Sequence, residues 1–322
     1  MDLSVIIICK DEEKNIARCV ESAISGATGF KYEILLVDVS TDKTVEIAKK
    51  YPVKIIKQKK DKYLSPSSGR YIGTLNSTGK YVLFIDADVV LIKDFIKRAI
   101  EYFKNPIVGG VRGKLYNINP EENINKKHPE RDKQRKEGPL GGQASMYSRE
   151  ALEKVGTFNP FVKGEEEREL YHRMSTGGYK LIHIDDSMGY HFFKVRDKKE
   201  IDEKSGYYVG VGQIIRKYFL RRPFFDVIKA QKRIFIEQLI TILLIIILIF
   251  LIISKKYLFL ISIAILLFIL LVSLSIWKGH NKVYLFIRSR LYIFINIIKG
   301  IILGIEEEKD YLKKTNIKFI KR

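Results

Sequence analysis

Two aspartates, Asp86 and Asp88, close an unbroken apolar run, Tyr81-Val82-Leu83-Phe84-Ile85. Carboxylates delivered together at the exit of a buried strand are hard oxygen ligands. They suit Mg2+ or Mn2+ and leave coordination positions for a diphosphate. A bare D-x-D is common in turns, so its position says more than its letters. Two more polar clusters follow apolar runs in the same way: Lys10-Asp11-Glu12 after Leu3–Cys9, and Asp38-Val39-Ser40-Thr41-Asp42 after Glu33–Val37. His172, His183 and His280 have no metal-ligand spacing and read as packing or surface residues.

These clusters need a scaffold that brings strand exits together. Leu3–Cys9, Glu33–Val37, Val53–Ile56 and Tyr81–Ile85 are short β-branched runs, the pattern of strands buried on both faces. Helical patterns lie between them. Ile16, Val20 and Ile24 recur every four residues behind a cap at Asp11, Thr41/Asp42 cap a second helix through Lys50, and Pro66 to Leu75 forms a third. This alternation predicts an α/β domain with a mostly parallel sheet, whose ligand site lies beyond the carboxyl ends of the strands. Lys126 to Glu137 reads as a charged surface loop over something anionic.

The 322 residues carry 57 Lys+Arg and 37 Asp+Glu, a formal net charge of +20. Abundant Leu, Ile, Val and Phe exclude disorder, and two cysteines, Cys9 and Cys19, exclude a disulfide scaffold. The charge is uneven, +5 over residues 1–193 and +15 over residues 194–322. That excess flanks two apolar runs, Leu239–Ile253 and Tyr257–Trp277, each close to the ~20 residues that cross a bilayer. Lys and Arg concentrate outside the pair and only Lys255 and Lys256 lie between, which predicts a transmembrane hairpin with both chain ends cytoplasmic. Leu291–Ile305 reads as an interfacial helix, and the charged tail from Glu306 as solvated. The expected domains are residues 1–195, the α/β domain; 196–234, a basic membrane-proximal amphipathic linker; 235–278, two transmembrane helices; and 279–322, an amphipathic segment and tail. Basic residues placed around membrane segments, with no recognition motif, argue for anionic lipid as partner and against nucleic acid.

Five segments in order are similar to the inverting family 2 glycosyltransferases: SVIIICKDEEKNI (4–16), EILLVDVSTDKTVEIAKKY (33–51), GRYIGTLNSTGKYVLFIDADV (69–89), GGQASMYSREALEKVGTF (141–158) and GEEERELYHRMSTGGYKL (164–181). The resemblance covers residues 1–195. It implies a GT-A fold (Rossmann-like, mostly parallel), a nucleotide-sugar donor and a divalent metal. Position by position it implies that Glu12 and Asp38 contact the nucleoside, Arg70 approaches the donor phosphates, and Asp86 binds the donor. Asp88 becomes the main metal ligand, helped by Asp86 and His191, while Gly141, Gly142 and Gln143 line the acceptor side. With Leu170 and Arg173 on the family's Leu and Arg, Glu166 falls on its usual Glu and Glu167 on its usual Asp. Glu167 is then the implied general base, with the choice between the two open. The competing reading of Glu165–Glu169 is a stretch that acidifies a helix N-terminus. Val39 replaces a usual Gly, so no base is named. Lys217, where Gln213-Ile-Ile-Arg216 would continue to Trp in processive synthases, argues against processive polymerisation.

The resulting expectation is sugar transfer to a lipid-linked or envelope glycan acceptor at the cytoplasmic membrane face. A polyisoprenyl-phosphate sugar synthase and a catalytically inactive membrane scaffold are the alternatives.

Overall fold

A computed structural model of the chain describes residues 1–58, 64–118, 128–129, 137–192, 207–254, 259, 262, 280–306, 311 and 317–321. They form two compact units, Met1–Arg196 with Ile305–Arg322, and Asp197–Gly304.

The first unit opens with β1 (Leu3–Cys9), α1 (Ile16–Ala27), β2 (Tyr32–Asp38), α2 (Thr44–Ala48), β3 (Lys54–Gln58), α3 (Pro66–Leu75) and β4 (Tyr81–Asp86). β1 pairs in parallel with both β2 and β4, and β2 with β3. Alternate β1 residues feed two cores. Leu3, Val5 and Ile7 pack with α1, whereas Ile6 packs with Tyr71 and Ile72 of α3 on the other face. In register, Cys9 lies beside Asp38 and Ile8 beside Asp86, so three polar strand exits share one edge. In the order β3-β2-β1-β4 successive strands are added first to one side of β1 and then to the other, which opens the crevice where such sheets bind ligands.

Beyond β4 come β5 (Val89–Leu91), α4 (Phe95–Tyr102), β6 (Val108–Ile118), β7 (His128–Pro129), β8 (Ala144–Ser148), α5 (Arg149–Val155), α6 (Glu166–Thr176) and β9 (Lys180–Phe192). The sheet is mixed rather than mostly parallel. β8 is antiparallel to β4 and to β6, β5 to β9, and β7 to β6, while β6 and β9 run in parallel. β6, β7 and β8 follow one another with no crossover helix among the described residues, and strands joined in that way pair antiparallel. The expected Asp11 cap also differs. Asp11 takes a left-handed conformation (φ 54°) and accepts from the Thr41 amide at 2.7 Å, so Asn15 becomes the residue before α1. Most of the expected charged loop at 126–137 lies outside the described residues.

The tail departs from the expectation of a solvated segment. Ile317–Lys321 forms β10, antiparallel to the edge strand β3. Tyr311 is fully buried, edge-on to Tyr71 and Phe161, and Gln58 Nε2 donates to its hydroxyl at 2.7 Å. An aromatic ring with one polar partner in reach is well suited to close a core at its rim.

The second unit holds α7 (Tyr207–Lys217), α8 (Arg222–Ala230), α9 (Lys232–Ile253) and α10 (His280–Leu303). α7 and α10 touch backbone to backbone. A Cβ on Gly212 would lie 2.0 Å from the Ile297 carbonyl oxygen, and one on Gly300 2.0 Å from that of Val209. Gln213 Nε2 donates to the Gly304 carbonyl at 2.7 Å and Arg216 Nη1 to that of Ile301 at 3.0 Å, capping the C-terminus of α10. The Leu291–Ile305 run therefore begins inside a longer helix packed on α7 through Ile293 and Ile297. Leu220 has a positive φ (58°) between α7 and α8, and Phe219, Leu220 and Phe225 are 62%, 64% and 54% exposed. Among the described residues no helix is long and apolar enough to cross a membrane. The first expected span falls on α9, and the second lies almost wholly outside the described residues.

Candidate active site

Arg70 is the hub of the cleft. α3 starts at a reciprocal cap, with the Ser68 amide donating to Ser65 Oγ and the Ser65 amide to Ser68 Oγ, and Pro66 fixes its first turn. That start aims Arg70 under the end of β4. Its guanidinium is 2% exposed. Nη1 donates to Glu166 Oε1 at 3.0 Å, Nη2 to the Gly142 carbonyl at 2.8 Å and to Asp86 Oδ1 at 3.4 Å, and Glu167 Oε1 lies 4.0 Å from Nη1. Arg70 thus ties the β4 exit, the glycine step at 141–142 and the start of α6 into one cluster.

α6 presents the paired glutamates in its first turn. Arg173 locks the helix in place by donating to the carbonyls of Val155, Gly156 and Thr157 and to Glu169 Oε2, while Leu170 is buried beneath. Gly142 leaves room for this carboxyl, because a Cβ would stand 2.2 Å from Glu167 Oε1 and 3.0 Å from Arg70 Nη2. Burial and the neighbouring Glu166 charge push the Glu167 carboxyl up to about 8, against the pull of Arg70. Burial likewise lifts Asp86 to about 7, opposed by Arg70 and reinforced by Asp88. The cleft holds more carboxylates than cations and is primed to receive positive charge.

Asp88 and His191 show where that charge fits. His191 Nε2 lies 3.3 Å from Asp88 Oδ2, and its Nδ1 is 2.8 Å from Asn117 Oδ1. In the neutral ring Nδ1 carries the proton toward Asn117, so Nε2 turns its lone pair toward a carboxylate. A cation between them relieves that opposition, and a histidine oriented through its other nitrogen is a usual metal ligand. Asp88 Oδ1 is buried with no hydrogen-bond partner. Among the described residues no three His, Cys, Asp or Glu side chains converge as a complete metal cage. A two-ligand site suits a divalent ion whose other positions are filled by phosphate oxygens and water.

The remaining expected residues lie around this centre. Glu12 accepts from Asn15 Nδ2 at 2.5 Å, and its amide donates to Thr44 Oγ1, joining the β1 and β2 exits. Asp38 is fully buried and accepts from the Ser40 amide at 3.1 Å and from Lys57 Nζ at 2.5 Å. Gln143 accepts the Asp86 amide at 2.8 Å through its carbonyl, and its Oε1 accepts from Arg112 Nη2 at 3.2 Å. Arg112, 2% exposed and packed where a Gly141 Cβ would be, is a site residue that the motifs missed. A cation in the glycine-rich run Val108-Gly109-Gly110-Val111-Arg112 was the available signal, since buried arginines are rare unless they serve a partner.

Comparison with known proteins identifies the relatives of this chain. The family model described as Glycosyl transferase family 2 matches residues 4–222. A dolichol-phosphate mannosyltransferase of Pyrococcus furiosus is 33% identical over 110 residues, which are 33% of this chain and 31% of that protein's length. The mannosyltransferase PcManGT from Pyrobaculum calidifontis, solved with GDP-Man and Mn2+, superposes with a TM-score of 0.57 at 16% identity, covering 92% of this chain and 86% of that one. S. aureus TarS 1-349 superposes with a TM-score of 0.54 at 18% identity, covering 72% and 73%. At such identities the two structures share the fold.

Proposed function

We propose a function from an established premise: the chain belongs to glycosyl transferase family 2 and is a glycosyltransferase. It moves a sugar from a nucleotide-sugar donor, with inversion, to a hydroxyl of a lipid-linked or envelope glycan at the cytoplasmic membrane face. The observation that carries this reading is Glu167, held against Gly142 beside Arg70 with its proton affinity raised to about 8. Inversion needs a carboxylate that takes the acceptor proton as the new bond forms, and a base with a pKa near the working pH does so best. Glu166, hydrogen-bonded to Arg70, positions that base, which favours Glu167 over Glu166 as the acceptor of the proton. Asp88 and His191 would hold Mg2+ or Mn2+, which when bound neutralises charge on the departing nucleoside diphosphate. Asp86 and Arg70 fix the β4 exit against the glycine step so that donor and acceptor sides stay in register.

Exposed Phe219, Leu220 and Phe225, set beside exposed Lys217, Arg221 and Arg222, support attachment to an anionic lipid surface. A second reading, transfer to a polyisoprenyl phosphate, is favoured by the Pyrococcus relative and by buried Arg112 next to Gly141 and Gln143. One variant separates them. Glu167→Gln should lower turnover on a hydroxyl acceptor by about 10²- to 10⁴-fold while donor binding is kept. Full turnover by Glu167→Gln on polyisoprenyl phosphate would select the second reading, because an ionised phosphate needs no base.

A further inference from the structure

Arg70 is buried, and both of its terminal nitrogens are already engaged, by Glu166, Asp86 and the Gly142 carbonyl. A nucleoside diphosphate would bring more negative charge into a cleft that already holds Glu12, Asp86, Asp88 and Glu167. Another cation stands at this edge of the cleft, on α1. Arg18 lies with its Cζ 3.7 Å over the ring of Phe192. Phe192 follows His191, and its amide donates to the Asp88 carbonyl at 2.9 Å, so the stack adjoins the Asp88–His191 pair.

The acidic groups whose fields act on Arg18 are Glu12 and Asp88. Among the described residues, neither they nor any other carboxylate forms an ion pair with it. One Nη2 hydrogen bond goes to the side-chain oxygen of Asn15, and Nε is buried with no partner. α1 is anchored on both sides of Arg18, since Asn15 and Cys19 are buried and Cys19 Sγ meets the Asp86 carbonyl at 3.8 Å. A guanidinium seated over an aromatic ring can offer its remaining terminal N–H donors to phosphate oxygens. We propose that Arg18 is the phosphate anchor of the donor site, binding a nucleoside diphosphate edge-on beside Asp88 and His191. The assignment rests on the nucleotide-sugar reading above.

Calorimetric titration of the full chain with UDP, GDP and dTDP in the presence of Mn2+ tests it. The matching nucleosides, followed by saturation-transfer NMR, serve as phosphate-free controls. Arg18→Ala should weaken the diphosphate that the unmodified chain binds by about 10- to 100-fold and leave its nucleoside within about twofold. Arg18→Lys, which keeps the charge without the planar fork, should recover part of that loss. Unchanged diphosphate affinity in Arg18→Ala overturns the assignment alone. Equal losses for nucleoside and diphosphate also overturn it, and reduce Arg18 to a prop for Phe192. If the unmodified chain binds none of the three diphosphates, the donor reading falls together with the anchor.

Discussion

Glu167 ties activity and stability to pH in opposite directions. As a base it must be ionised, so turnover should rise with pH up to about 8, and Glu167→Gln should flatten what activity remains. For stability the sign reverses. The unfolded chain releases this proton near the ordinary value of 4.5 while the folded chain holds it to about 8, so the folded state loses ground as pH rises between those values. Asp86, raised to about 7, adds to the loss from its own ordinary value of 3.8 upward. Glu167→Gln should therefore raise the melting temperature at pH 8.5 and change it little at pH 4.5, which a scanning-fluorimetry series across pH will read. Gly142→Ala tests the same carboxylate from the other side. The added Cβ would stand 2.2 Å from Glu167 Oε1, the far end of a movable side chain. It should cost little in melting temperature and about 10²-fold in turnover, since a misplaced base loses alignment before it loses packing.

Elements differ in how openly their sequence declares them. β1 and β4 are apolar runs with acidic residues at or just beyond their ends, so both the strands and the Asp86–Asp88 exit were legible, and Pro66 to Leu75 is α3 to the residue. Glu166 and Glu167 were pointed to by the family resemblance, with Leu170 and Arg173 on its Leu and Arg. The antiparallel half was not legible, because β6 and β9 are glycine-rich or polar strands whose partners lie far away in sequence. Arg18 looks like a solvent-facing helix residue until Phe192 arrives from the far end of β9. Tyr311 was hidden by the charges around it. Its removal gives the element-scale prediction: Tyr311→Ala should destabilise the first unit by about 3–5 kcal/mol, as loss of a buried aromatic does, and lower its urea midpoint. Tyr311→Phe, which loses only the hydroxyl's bond to Gln58, should cost about 1 kcal/mol.

At the scale of the molecule, the +20 charge divides into a nearly balanced first part and a strongly basic second part. If the second unit holds the enzyme on a membrane, the full chain should stay in the pellet after alkaline carbonate extraction, and recovery in the supernatant would reject that attachment. The two units also interleave along the chain, since Ile317–Lys321 rejoins a sheet begun at residue 3. Synthesis is directional, and Tyr311 leaves the ribosome 253 residues after Gln58. At about 5–20 residues per second, the β3 edge waits roughly 10–50 s for its last strand. Throughout that interval a bare strand edge and an open rim of the core face the surroundings, a template for pairing with another chain. The charge that β3 carries, Lys54 and Lys57, is paired onto Glu33 and Asp38 of β2, so the edge depends on the arrival of β10 for its cover.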